Sequence, residues 1–147
     1  MTIALPSPLR HNAAMTDRTL DLPTFPVHLG LGATVVPLDA FDGTPDWYQR
    51  YSDRFTADAD EGRLVTMHSF TTSWDSWEMH PRGEELVLCI AGSITLHQER
   101  DGATATVTLT VGEAVINPRG TWHTADVAEP CTAVFITAGA GTEIRPR

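Results

Sequence analysis

From Arg63 onward the chain is a succession of short β-type runs, and this succession limits the fold more than any other feature. "RLVTMHSF", "SWEMH", "ELVLCIA", "SITLHQE", "ATVTLTV", "EAVINP", "HTADVA" and "TAVFITA" are rich in Val, Ile, Thr and Leu, and Gly, Pro, Asp and Asn separate them. Breakers recur at intervals of roughly 8–12 residues, the pattern of an all-β sandwich or barrel. No gap leaves room for a crossover helix, so a parallel α/β sheet is disfavoured. Ala91–Ser93 and Arg100–Ala103 read as hairpin turns, the second built on an Asp-Gly dipeptide.

The chain before Arg63 differs in character. Residues 1–25 are rich in Pro, Thr and small residues without a clear period, and are expected to form a loose arm. A single domain is then expected over 26–147. Val27–Leu38 is a short β-like run interrupted by glycines. In "TPDWYQRYSDRF", Thr44 suits an N-cap, Pro45 the first helical position and Asp46 the first turn. Trp47, Tyr51 and Phe55 fall on one helical stripe, expected to pack against the domain.

Charge narrows the partners. The 147-residue chain carries a formal net charge of −9 and no Lys/Arg run. That balance opposes phosphate backbones and anionic membrane surfaces, so neither nucleic acid nor membrane is expected as a partner. No window approaches the length of an apolar span, and the N-terminus lacks the apolar core of a signal peptide. The expected location is the cytoplasm. Cys89 and Cys131 sit in apolar runs and read as buried reduced thiols, with no CxxC to suggest zinc.

Two segments concentrate metal-ligating side chains. In "WEMHPRGEE", Glu78 and His80 share one face of an extended strand, and a hairpin through "PRG" would bring Glu85 back beside His80. Far downstream, "GEAVINPRGTWH" carries a second Pro-x-Gly turn, with His123 three residues after Gly120.

Together these segments resemble the two motifs of the cupin superfamily. The first reads G-x5-H-x-H-x3,4-E-x6-G in that family. Here it runs Glu78, x, His80, four residues, Glu85, six residues, Gly92. The second reads G-x5-P-x-G-x2-H-x3-N. Here Gly112, Pro118, Gly120 and His123 hold those spacings. There are two departures: Glu78 replaces the first histidine, and Val127 replaces the final asparagine.

The resemblance implies an antiparallel jelly-roll β-barrel with a short N-terminal helix. It also implies a homodimer, and a divalent metal (Mn, Fe, Zn or Ni) inside the barrel. The metal set would be Glu78, His80, Glu85 and His123; Glu78 is either a ligand or a general base beside the metal. Two imidazoles with carboxylates suit Mn, Fe or Zn better than Cu(I). Two buried carboxylates without a cation would be costly, which favours a metal. Cupins include dioxygenases, decarboxylases, isomerases and epimerases, so the expected activity is metal-dependent chemistry on a small oxygen-rich molecule. The alternative is a non-catalytic module that binds a small molecule or a metal.

His11, His28, His68 and His97 lie outside the motifs, and His68 and His97 read as packed or surface residues. Arg82 and Arg119 read as surface turn residues. Trp74, Trp77 and Trp122 are expected in the core, with a substrate-stacking wall as the alternative.

Overall fold

The structure, a computed structural model, describes residues 19–147. Most of the expected arm, with His11, lies outside the described residues. The elements are β1 (Val27–Gly30), β2 (Thr34–Pro37), α1 (Pro45–Arg54), β3 (Arg63–Phe70), β4 (Ser76–Met79), β5 (Glu85–Ala91), β6 (Ile94–Arg100), β7 (Ala103–Leu109), β8 (Ala114–Asn117), β9 (His123–Asp126), β10 (Cys131–Thr137) and β11 (Glu143–Pro146).

Strand pairing is antiparallel and forms two sheets. One has the order β2-β1-β3-β10-β5-β8 and the other β11-β4-β9-β6-β7. Alternation along each strand sends one side chain set inward. Val87, Cys89, Ala133 and Phe135 from the first sheet meet Ile94, Leu96, Leu109 and Ala125 from the second in one core. Burying these aliphatic chains supplies the main drive for the sheets to face each other. Cys89 and Cys131 are buried free thiols, as expected.

Helix α1 forms where its caps lie. The Thr44 hydroxyl accepts the Trp47 amide at 3.2 Å, and Arg50 pairs with Asp46 one turn away at 2.9 Å. Its stripe of Trp47, Tyr51 and Phe55 packs on Leu38, Phe41 and Leu64. His28 reinforces this contact. Its Nδ1 lies 2.7 Å from the Tyr51 hydroxyl and its Nε2 2.6 Å from Asp58. A Cβ at Gly62 would stand 2.6 Å from the His28 ring, so only glycine leaves room for it.

Turn chemistry is half as expected. Asp101 and Gly102 both take positive φ, and Arg100 pairs directly with Ala103, a two-residue hairpin between β6 and β7. Ala91–Ser93 is not a hairpin: β5 and β6 belong to different sheets, and the turn carries the chain across. A Cβ at Gly92 would approach the Pro130 carbonyl to 2.2 Å, which explains the glycine. Pro81–Glu84 likewise crosses between sheets, so His80 and Glu85 are not hairpin partners. The physical reason is common to both turns. Each flanking strand finds its ladder with distant segments, β5 with β8 and β10, and β4 with β9 and β11.

Candidate metal centre

The four expected residues converge between the sheets. Glu78 on β4 lies in register with His123 on β9. His80 follows β4 directly, and Glu85 opens β5 on the opposite sheet. His80, Glu85 and His123 are 5%, 3% and 0% exposed. Glu78 keeps a third of its side chain open.

The contacts are short. His80 Nε2 lies 3.2 Å from Glu85 Oε2, and His123 Nε2 lies 3.3 Å from Glu85 Oε1. His123 Nε2 is 3.9 Å from Glu78 Oε2. One ligand atom from each of Glu78, His80 and His123 can be chosen so that all lie within 4.8 Å of one another.

Hydrogen bonds on the far side of each ring settle its tautomer in the neutral form. The Thr142 hydroxyl donates to the Gly139 carbonyl at 2.7 Å, so its oxygen accepts from His80 Nδ1–H at 2.8 Å. His123 Nδ1–H donates to the Thr121 carbonyl at 3.1 Å. Both Nε2 atoms therefore present lone pairs inward. Both are buried without a hydrogen-bond partner. At 3.2–3.3 Å from Glu85 they are near the carboxylate but not aligned for a hydrogen bond to it. Acceptors face acceptors.

The electrostatics follow from this crowding. Burial pushes the Glu85 carboxyl up, but when His123 and His80 carry a second proton at Nε2 their charge and N–H groups more than reverse that, and it lies far below the ordinary carboxylate range. Burial, reinforced by the charge of Glu85, raises Glu78. Burial lowers His123, yet Glu85, the Thr121 carbonyl and Glu78 outweigh it and the ring is raised.

Several partners were not legible in the sequence. Asn117 Nδ2 donates to Glu85 Oε1 at 3.0 Å, and Thr137 Oγ1 donates to Glu85 Oε2 at 2.6 Å. Both flank Glu85 in register, on β8 and β10. No local motif marks them, because only strand pairing brings them there. Tyr48 of α1 is 43% exposed and is raised, by burial first and then by the charges of Glu78 and Glu85. It lies beside Trp47, off the helical stripe that the sequence displays.

The remaining candidates lie elsewhere. His97 bridges Thr106 at 2.9 Å and Asp126 at 2.7 Å. His68, half-buried between Phe41 and Phe135, is lowered by burial. Arg82 is half-exposed and pairs with Asp60, and Arg119 is exposed. Trp74 packs on the core as expected. Trp77 and Trp122 do not: both are half-buried and stack on the Arg145 guanidinium, 5.4 and 4.4 Å from their ring centroids. The cation–π contact and the pairing of β11 with β4 hold them there.

No protein-family model matches this chain, and no curated protein matches it. Its fold does match solved structures. A tryptophan-to-phenylalanine variant of oxalate decarboxylase from B. subtilis superposes with a TM-score of 0.51 at 16% identity, over 65% of this chain and 26% of that one. A formate complex of oxalate decarboxylase from Lactobacillus farciminis gives 0.51 at 13% identity, over 65% and 29%. Hydroquinone 1,2-dioxygenase from Sphingomonas sp., with 4-hydroxybenzoate bound, gives 0.43 at 15% identity, over 51% and 59%. The chain thus spans less than two thirds of the dioxygenase and under a third of either decarboxylase. With its paired antiparallel sheets and two motif turns, the molecule has the fold of the cupin superfamily.

Proposed function

We propose that this chain is a divalent-metal-dependent enzyme acting on a small oxygen-rich molecule, with the ion held by Glu78, His80, Glu85 and His123. One observation carries the reading: two buried imidazole Nε2 atoms, lone pairs inward and without hydrogen-bond partners, beside an anionic Glu85. A cation satisfies all of these acceptors at once, and the donor set of imidazoles and carboxylates suits Mn, Fe, Zn or Ni.

Such an ion, when bound, supplies Lewis acidity toward a substrate oxygen, or O2 activation if it is iron. The chain's own residues do the rest. Asn117 and Thr137 fix Glu85 as a carboxylate. Thr142 and the Thr121 carbonyl orient the two rings. Where Glu78, the most open of the four and raised above its usual range, stands off the ion instead of binding it, it is the group assigned to hold or release a proton at its carboxyl when substrate enters.

The reading extends to the whole chain. Residues 26–147 act as one domain, with the sheets wrapped as a jelly-roll barrel around the site. The protein works in the cytoplasm, which suits its free buried thiols, and as a homodimer. Outward rows of apolar side chains support pairing: Ile116, Leu86 and Ile136 lie in register across β8, β5 and β10, with Leu86 and Ile116 exposed.

The test is turnover. The metal-loaded protein, offered panels of hydroxy acids, sugars and phenolics, should transform at least one, and chelation should abolish the activity. Ligand-induced stabilisation without turnover on any of them, with every metal, would instead make it a binding module.

A further inference from the structure

A chain of side-chain hydrogen bonds runs from the surface to Glu85. Arg100 Nε and Nη2 donate to Gln98 Oε1 at 2.9 and 2.6 Å. Gln98 Nε2 donates to the Ile116 carbonyl at 2.9 Å and to Asn117 Oδ1 at 2.7 Å. Asn117 Nδ2 donates to Glu85 Oε1 at 3.0 Å. Gln98 and Asn117 are 3% and 1% exposed, whereas Arg100 is exposed.

The direction of this chain is not free. A guanidinium can only donate, and a backbone carbonyl can only accept. Those two fixed ends force the Gln98 amide into one orientation. Gln98 then presents N–H to Asn117, which obliges Asn117 to turn its own N–H to Glu85. Thr137 supplies a donor to the second oxygen. Each Glu85 oxygen therefore receives one protein donor and keeps its remaining acceptor capacity for the side where His80 and His123 stand.

Its path also crosses the molecule. Gln98 belongs to β6, in register with His123 on β9, while Asn117 lies in register with Glu85 on β5. The same buried pair thus supplies the strand neighbour of His123 in one sheet and of Glu85 in the other. No protein donor other than Asn117 and Thr137 hydrogen-bonds to Glu85 among the described residues.

We infer that Gln98, Asn117 and Thr137 are positioning residues for the metal centre, a relay that holds Glu85 aimed at the two histidines and extends its control out to Arg100. This inference rests on the metal-centre reading above. It makes ion affinity and coordination geometry depend on residues that do not touch the ion.

The experiment titrates Co(II) into the full chain and follows both affinity and the visible absorption of the bound ion, which reports coordination geometry. The variants are Asn117→Ala, Thr137→Val and Gln98→Leu, with Thr95→Ala as a control outside the relay. Loss of either donor should weaken Co(II) binding roughly 10–100-fold and change the spectrum. Gln98→Leu should fall between these variants and the control. If Asn117→Ala does not fold, Thr137→Val makes the same comparison at the other oxygen. Wild-type affinity and an unchanged spectrum in the folded relay variants would overturn the inference while leaving the metal centre standing. A wild type that binds none of Co, Mn, Fe, Zn or Ni would remove the metal centre, and the inference with it.

Discussion

The Gly120 amide donates a 2.9 Å hydrogen bond to the carbonyl of His80. The turn of the second motif is thereby tied to His80 of the first, across a long stretch of sequence. Gly120 has a φ of 74°, and a Cβ there would meet nothing within 4 Å. The glycine is needed for its backbone conformation, not for space. Gly120→Ala should therefore cost about 1–2 kcal/mol, read as a lower denaturant midpoint at unchanged slope, and should weaken metal binding as His80 shifts. Gly120→Asn should recover part of both losses, since asparagine tolerates this conformation better.

Metal-free and metal-loaded protein should respond oppositely to pH. Without metal, His123 is raised, so its contribution is fully present below the unfolded histidine pKa of roughly 6.5 and is lost as pH rises. Glu85 is depressed, so its contribution is present above roughly 4.3 and is lost in acid. Metal-free protein should be most stable between these values. With metal, protons compete for the imidazoles, and stabilisation should grow as pH rises through the histidine range. Thermal melts across pH 4–9, with and without chelator, check this; parallel curves would contradict it.

The two carboxylates should separate on mutation. Glu85 is buried and receives two protein donors. Glu85→Gln would bring an amide N–H against one of those donors and remove the charge, so metal should be lost on purification. Glu78 is one-third open, and Glu78→Gln should retain metal while lowering turnover of any identified substrate by roughly 10²–10⁴-fold. Elemental analysis and steady-state rates on both variants provide the comparison.

The outward face of β5 and β8 offers a test of assembly. Leu86 and Ile116 are exposed neighbours in register. Leu86→Glu and Ile116→Glu together should convert the proposed dimer to a monomer in sedimentation velocity, with folding and metal content retained. A wild type that is already monomeric at high concentration would contradict the dimer.

Much of this molecule could be read before it was seen. β3 and β5 coincide with the runs "RLVTMHSF" and "ELVLCIA", because alternating apolar residues bounded by Gly, Pro or polar turns leave few other options. Helix α1 was legible through Thr44, Pro45 and its aromatic stripe. β11 was not: "EIRP" has little apolar content and ends in proline, and it is a strand only because β4 offers it an edge. The convergence of Glu78, His80, Glu85 and His123 was expected from the resemblance to the cupin motifs. The route was mistaken, since the turns after His80 and Ala91 cross between sheets instead of folding back. Which strand pairs with which is a long-range property that local pattern does not carry. For the same reason Asn117, Gln98, Thr137 and Thr142, which hydrogen-bond to Glu85, to one another or to His80, left no mark that spacing could show.

The central claim is that the inward Nε2 atoms of His80 and His123 hold a metal with Glu85 and Glu78. The most direct test is the metal content of untagged protein by elemental mass spectrometry, beside a His80→Ala, His123→Ala double variant. The account predicts about one divalent ion per chain in the wild type and none in the variant. A wild type that stays metal-free after incubation with Mn, Fe, Zn and Ni would contradict it.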